Sequence, residues 1–221
     1  AAVAIEDERF FKHGGVDIKR SAGAVLGFFF NRDSGYGGST ITQQLARNIF
    51  LGYEKTYSRK IKEMFIAVAL EQKYTKQDIL EFYLNNVYFA NGYYGIESAS
   101  EAYFNKKAKD LSISQIAFLC SIPNSPGRYD PYKHKDSTIK RRDRILKNMY
   151  EDGYISQSQY EKSVDENITI MPKKETTTND YAETYILKCA TEALMKEQGF
   201  EFKTTFSSTS EKESYNDEYD E

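Results

Sequence analysis

Apolar positions along this chain recur at three- and four-residue spacing, and sustained two-residue alternation is nearly absent. That is the period of helices, not of half-buried strands. Helix-start signals punctuate the pattern. Thr40-Ile41-Thr42-Gln43 places a hydroxyl three residues before Gln, the capping-box arrangement, and predicts a helix from Thr40 to Phe50. Thr75-Lys76-Gln77-Asp78, Ser112-Ile113-Ser114-Gln115 and Ser156-Gln157-Ser158-Gln159 repeat the signal. A helix from Arg59 to Lys73 is predicted with Ile61, Met64, Phe65 and Val68 as its buried stripe, and Lys60 and Glu63 off that stripe. Pro123 and Pro126 end a helix over Gln115–Ser121, and Gly153 after a long charged run reads as a helix C-terminus. With only 4 prolines in 221 residues, the expected class is mostly α.

Two segments depart from this pattern. Residues 22 to 30, Ala-Gly-Ala-Val-Leu-Gly-Phe-Phe-Phe, are the most apolar stretch, with Lys19, Arg20 and Arg32 at the flanks. Nine residues cannot cross a bilayer, but an apolar patch with basic flanks can dip into its interface. Val25, Leu26, Phe28, Phe29 and Phe30 are the candidate membrane contacts, against the alternative of a buried core helix. After Glu166 the texture changes to a polar linker at residues 173 to 179, a helical segment from Tyr181 to Gln198, and a Ser/Thr-rich acidic tail expected to be disordered. The expected organisation is one domain over residues 1–168 and a linker segment over 169–221.

Charge and cysteine content narrow the picture. There are 30 bases and 33 acids, but residues 211 to 221 alone hold six acids and one base, so the rest of the chain carries +2. Cys120 and Cys189 are the only cysteines, and both are expected to be free thiols. No run of about 20 apolar residues exists to span a membrane. The first acidic motif begins so near residue 1 that any anchor is expected in a segment preceding it.

The candidate chemistry lies between residues 6 and 63. Glu6-Asp7 opens a run ending His13-Gly14-Gly15, and Glu63 sits in the cationic cluster Arg59-Lys60-Ile61-Lys62-Glu63. Between them stands Gly38-Ser39-Thr40-Ile41-Thr42-Gln43-Gln44. From Arg32 to Lys62 there are six bases (Arg32, Arg47, Lys55, Arg59, Lys60, Lys62) against Asp33 and Glu54. A carboxylate can remove a hydroxyl proton while cations stabilise a departing phosphate, the combination that glycosyl transfer from a phosphorylated sugar needs. A plain glycoside hydrolase has no use for the cations.

These residues carry a resemblance. Glu6-Asp7-x-x-Phe10-x-x-His13-x-Gly15, Gly38-Ser39-Thr40-Ile41-Thr42-Gln43-Gln44-x-x-x-Asn48 and Arg59-Lys60-x-x-Glu63 are similar to the first three signatures of the family 51 glycosyltransferases. These are the peptidoglycan polymerase domains of class A penicillin-binding proteins and of monofunctional transglycosylases. Ile79-Leu80-Glu81-x-Tyr83-Leu84-Asn85 with Gly92, and Gly95-Ile96-Glu97-Ser98-Ala99-Ser100-Glu101-Ala102-Tyr103-Phe104, resemble the fourth and fifth.

The resemblance implies a lysozyme-like helical fold with a small membrane-proximal lobe, acting at the outer face of the bacterial cytoplasmic membrane. The substrates would be lipid II and the lipid-linked growing glycan. Glu6 would be the general base and Glu63 the second catalytic acid, positioning or polarising the diphosphate side. Asp7, Ser39, Thr40, Gln43, Gln44, Arg47, Asn48, Lys55, Arg59 and Lys60 would bind substrate. It also implies a divalent cation, Mg or Mn, with Glu63 the place to look for it. The partners it implies are the membrane surface, a transpeptidase domain in the full-length chain and other cell-wall synthesis proteins, but no nucleic acid. Arg47 stands where the family usually has Lys, which changes a compact ammonium for a planar fork.

Other features have plainer readings. Ser137-Thr138-Ile139-Lys140 matches the Ser-x-x-Lys acylation motif but lacks its Ser-x-Asn and Lys-Thr-Gly companions, and reads as chance. His13 is expected to order the loop behind Glu6, and Glu81 to be a helix acid outside catalysis. Arg128 to Lys147 carries eight bases and three acids, read as a solvated helix face in preference to an anionic-lipid contact. Two rival functions remain at this point: a lysozyme-like peptidoglycan hydrolase, and a non-catalytic membrane or scaffold module.

Overall fold

The computed structural model describes residues 1–19, 38–51 and 56–173, together with 186, 189, 190 and 193. The candidate membrane contacts Val25, Leu26, Phe28, Phe29 and Phe30, the base Lys55 and nearly all of the expected 181–198 helix lie outside them. Among the described residues no strand forms, and one isolated bridge pairs Tyr88 with Tyr94. The α-helices whose bounds lie within the described residues are, in order, α1 (Ala2–Glu6), α2 (Ile41–Phe50), α3 (Tyr57–Lys73), α4 (Lys76–Asn86), α5 (Ile96–Phe104), α6 (Ile113–Cys120), α7 (Lys135–Glu151) and α8 (Gln157–Asp165). The class is mostly α, as the periodicity indicates.

All four expected capping boxes form. At Thr40, Thr75, Ser112 and Ser156 the side chain accepts the N3 amide while the N3 side chain accepts the cap amide. Each satisfies two of the donors that a helix start leaves open. Gly153, at φ 76°, follows the last turn of α7, and the Tyr154 amide returns to the Met149 carbonyl at 2.8 Å. That is the left-handed stop for which glycine is suited.

The core has two parts. The larger gathers Phe10, Ile41, Leu45, Leu70, Ile79, Tyr83, Tyr103 and Phe118 between α2, α3, α4, α5 and α6. The smaller packs Ala4 and Ile5 of α1 against Ala117, Cys120, Ile145, Leu146 and Met149. Short α1 therefore lies against α6 and α7, and the Asn148 amide donates to the Ala4 carbonyl at 3.0 Å. Arg142 ties the same region from within, reaching the Ser114 hydroxyl and the Glu166 and Val164 carbonyls at 3.0, 2.9 and 3.2 Å. Ile168, the last residue of the expected domain, is buried, and just beyond it the Met171 amide donates to the Tyr103 carbonyl at 2.8 Å.

One expectation is overturned. Helix α3 buries Glu63, Ile66, Ala67 and Leu70, whereas the predicted stripe faces outward, with Ile61 54% and Phe65 73% exposed and Met64 and Val68 also outside the core. The run Met64 to Leu70 is apolar around the whole helix, so period alone could not select its buried face. Packing against α2 and the pairing of Glu63 selected it. Ala67 is also where the Gly15 loop crosses: a Cβ on Gly15 would lie 2.6 Å from the Ala67 carbonyl oxygen. Only a residue without a side chain allows that approach.

Candidate active site

Glu6 is the last residue of α1, and its placement follows from the burial of Val3, Ala4 and Ile5 just before it. Glu6 as a whole is 5% exposed, and its carboxylate is held from two sides. Gln44, in the first turns of α2, donates to Oε2 at 3.0 Å, and Arg141 of α7 donates to Oε1 at 3.2 Å. Arg141 is 7% exposed and lies over the Tyr129 ring at 5.1 Å. A buried carboxylate without a partner would be costly, and this guanidinium compensates its charge. A carboxylate accepts about four hydrogen bonds, so two such contacts leave capacity for a substrate hydroxyl.

Tyr83 of α4 completes this group, its hydroxyl 3.4 Å from the Gln44 side-chain oxygen. Burial pushes the Tyr83 phenol well above its ordinary value, and the negative charge of Glu6 adds to the effect, with Arg47 and Arg141 acting against it. The phenol therefore stays protonated and serves as a neutral donor that fixes the Gln44 amide. Arg47, one turn after Gln44, has its Nε buried and without a hydrogen-bond partner among the described residues.

Asp7 faces the scaffold. It is fully buried, and its Oδ2 accepts the Ile41 amide at 3.0 Å and lies 2.9 Å from His13 Nε2. His13 thus orders the loop behind Glu6, as expected. The Thr40 hydroxyl donates to the Gly15 carbonyl at 2.6 Å and accepts the Gln43 amide, while the Gln43 side chain returns to the Thr40 amide at 3.0 Å. Asp7, Thr40 and Gln43 thereby lock the first loop to the start of α2. Their side chains are committed to the frame behind the site.

The second acid lies on α3. Glu63 is 0% exposed, with Arg59 Nη1 2.7 Å from one carboxylate oxygen and Lys60 Nζ against the other. Lys60 also donates to the Ser39 hydroxyl at 2.8 Å. Ser39 immediately precedes the cap of α2 and Gln44 lies in its first turns, so one helix end links both acid centres. The cluster carries two cations for one anion. Asn48 is half-buried further along α2, and Glu81 is exposed on α4.

The expected divalent cation finds no fit in this cluster. Magnesium is usually held by one or two free carboxylates together with waters and substrate phosphates. Here Glu63 is the carboxylate present, and both its oxygens face cations. Among the described residues no group of three or more His, Cys, Asp or Glu side chains could hold a metal ion.

The sequence reading missed Arg141 and Tyr83. Arg141 stands four residues before buried Ile145, and Arg142 four before buried Leu146, so two arginines occupy core register on α7. A cation in core register implies a buried anion opposite, and that was the available signal.

Comparison with known proteins agrees with this geometry. A transglycosylase family model matches residues 1–150. Penicillin-binding protein 4 of Bacillus subtilis is 39% identical over 214 residues, 96% of this chain and 34% of that protein. Penicillin-binding protein 1F of the same organism is 50% identical over 156 residues, covering 71% of this chain and 22% of its own length. Penicillin-binding protein 1A of Streptococcus oralis is 45% identical over 172 residues, 76% of this chain and 27% of its own. The chain therefore spans about a third or less of these relatives. With the family match running across Glu6, the α2 cap and Glu63, the chain belongs to the transglycosylase family, as a glycosyltransferase domain of the kind carried by class A penicillin-binding proteins.

Proposed function

We propose that this domain polymerises lipid II into β-1,4 glycan strands, inverting the anomeric carbon and releasing polyprenyl diphosphate. The observation that carries the reading is the Glu6 carboxylate, buried and gripped through both oxygens, tied by one helix end to an Arg59–Lys60 pair. Glu6 takes the proton of the acceptor sugar's 4-hydroxyl. The freed oxygen attacks the anomeric carbon of the lipid-linked chain from the face opposite the diphosphate. The bond from that carbon to the diphosphate oxygen breaks, and its electron pair leaves on the diphosphate.

Arg59 and Lys60 neutralise that leaving charge by charge-assisted hydrogen bonds. Glu63 holds the two cations side by side. It also reduces their net charge, so that the product can leave. A hydrolase would have no leaving anion to stabilise, and a module without turnover would have no use for a braced buried base. No step here depends on magnesium or manganese.

The same reading places the domain at the outer face of the cytoplasmic membrane. The outward stripe Ile61, Phe65 and Val68, with Tyr57 beyond it, supplies an apolar surface for that contact. No described helix is long and apolar enough to cross a membrane. A transpeptidase domain and other cell-wall synthesis proteins would be its partners in the longer chain. The test incubates the protein with purified lipid II and a divalent cation in detergent, beside Glu6→Gln. Long glycan from the wild type alone supports the proposal. Cleavage of finished glycan, or glycan from Glu6→Gln at the wild-type rate, overturns it.

A further inference from the structure

A second cationic site lies behind Glu6, on the face of α7. A cleft of about 220 Å³ is lined by Arg128, Tyr129, Ser137, Lys140, Arg141 and Arg144. Four of these six residues are bases and none is an acid. Among the described residues neither Arg128 nor Lys140 has an ion-pair partner. The walls are the exposed side chains Arg128, Lys140 and Arg144, and the buried base is Arg141. Both Arg128 and Arg141 lie against the Tyr129 ring, at 5.7 and 5.1 Å.

Arg141 makes the cleft more than a charged surface. One end of its guanidinium holds Glu6, while its Nε is buried with no hydrogen-bond partner. An unmet buried donor is costly, and the residue that carries it lines a cleft whose other walls are cations. An oxyanion in the cleft would be met by these cations. Such a ligand and the proton that Glu6 removes would then be one arginine apart.

The geometry points to this cleft as the seat of an anionic group, carboxylate or phosphate, on the acceptor sugar. This rests on the polymerase reading above: the base touches the acceptor, and the donor's diphosphate is assigned to Arg59 and Lys60. Lipid II is a disaccharide-pentapeptide on a polyprenyl diphosphate. As acceptor it brings peptide carboxylates and a diphosphate of its own, and these are the anionic arms left to be matched by a cationic cleft adjoining the base. A bound arm would hold the 4-hydroxyl against Glu6. It would also keep Arg141 on Oε1.

The test uses Lys140→Gln/Arg144→Gln, two exposed positions on a helix that Gln suits. Initial rates against lipid II concentration are measured in detergent at low salt. The expected result is a KM raised about tenfold with kcat nearly unchanged, the size of two partly exposed charge-assisted contacts. With lipid II whose peptide carboxylates are amidated, a wild-type KM raised to match the variant identifies the carboxylate as the anion. A variant penalty that persists on amidated substrate identifies the diphosphate.

An unchanged KM overturns the proposal. So does a variant that loses only binding to phosphatidylglycerol vesicles, because the cleft would then serve a membrane. Inorganic diphosphate titrated calorimetrically into both proteins separates failures of the two readings. A wild type that makes no glycan defeats the polymerase proposal. Equal diphosphate binding in wild type and variant, together with an equal KM for lipid II, defeats the cleft.

Discussion

Removing Arg141 tests the central physical claim, that a buried guanidinium supports a buried base. Both side chains of the Arg141–Glu6 pair are 7% exposed, so solvent screens the contact little. Arg141→Met preserves most of the packing against Tyr129 and deletes the charge. Glu6 is then left with Gln44 as its holder. Breaking a buried pair from one side costs about 3–5 kcal/mol, much of it the stranded charge. The reverse change, Glu6→Gln, is milder: Arg141 keeps the Tyr129 ring and borders an open cleft, and the cost is about 1 kcal/mol.

In the double variant no charge is stranded, so the single effects should not add. A coupling of about 2–3 kcal/mol is expected from urea unfolding of the four proteins at neutral pH, by linear extrapolation. Single effects that sum to the double within about 0.5 kcal/mol would refute the reasoning. Polymerase activity supplies a second readout. Arg141→Met should lose most of its kcat even where it is fully folded, because Glu6 is no longer aimed.

Further outcomes follow from single contacts. Gly15→Ala should destabilise by about 3 kcal/mol or more in thermal unfolding, since φ is 91° and the new Cβ would meet the Ala67 carbonyl at 2.6 Å. Thr40→Val should cost about 2 kcal/mol in the same assay, losing a helix cap and a 2.6 Å bond to the Gly15 carbonyl. Cys120 is buried and burial raises its thiol, so at mildly alkaline pH it should resist iodoacetamide until denaturant is added. Burial raises the phenols of Tyr83, Tyr103 and Tyr132, the last to about 12. Their contribution is whole below the ordinary value of 10.0 and falls above it, because the unfolded chain ionises first. Unfolding free energy should therefore decline from pH 10 upward. Exposed phenols such as Tyr57 ionise first, and the last part of the phenolate absorbance, that of the buried phenols, should appear together with unfolding.

Local chemistry was fully legible in the amino-acid sequence. Thr40, Thr75, Ser112 and Ser156 cap the helices their spacing predicts, because a hydroxyl and the amide three residues on meet without help from the rest of the fold. Gly153 stops α7 for an equally local reason. The pairing of Glu63 with Arg59 and Lys60 was also readable, because three and four residues along one helix bring side chains together.

Tertiary structure decided what depends on which surfaces meet. It turned α3 so that Glu63, Ile66 and Leu70 face inward and Ile61 and Phe65 outward, a choice that an all-apolar turn leaves open. It committed Asp7, Thr40 and Gln43 to the frame, since their partners lie 34 and 25 residues away or at the helix cap. Above all it brought Arg141 to Glu6 across 135 residues. Sequence alone places an acid at the end of α1. Only the packing of α7 against α1 gives that buried acid a cation as its partner.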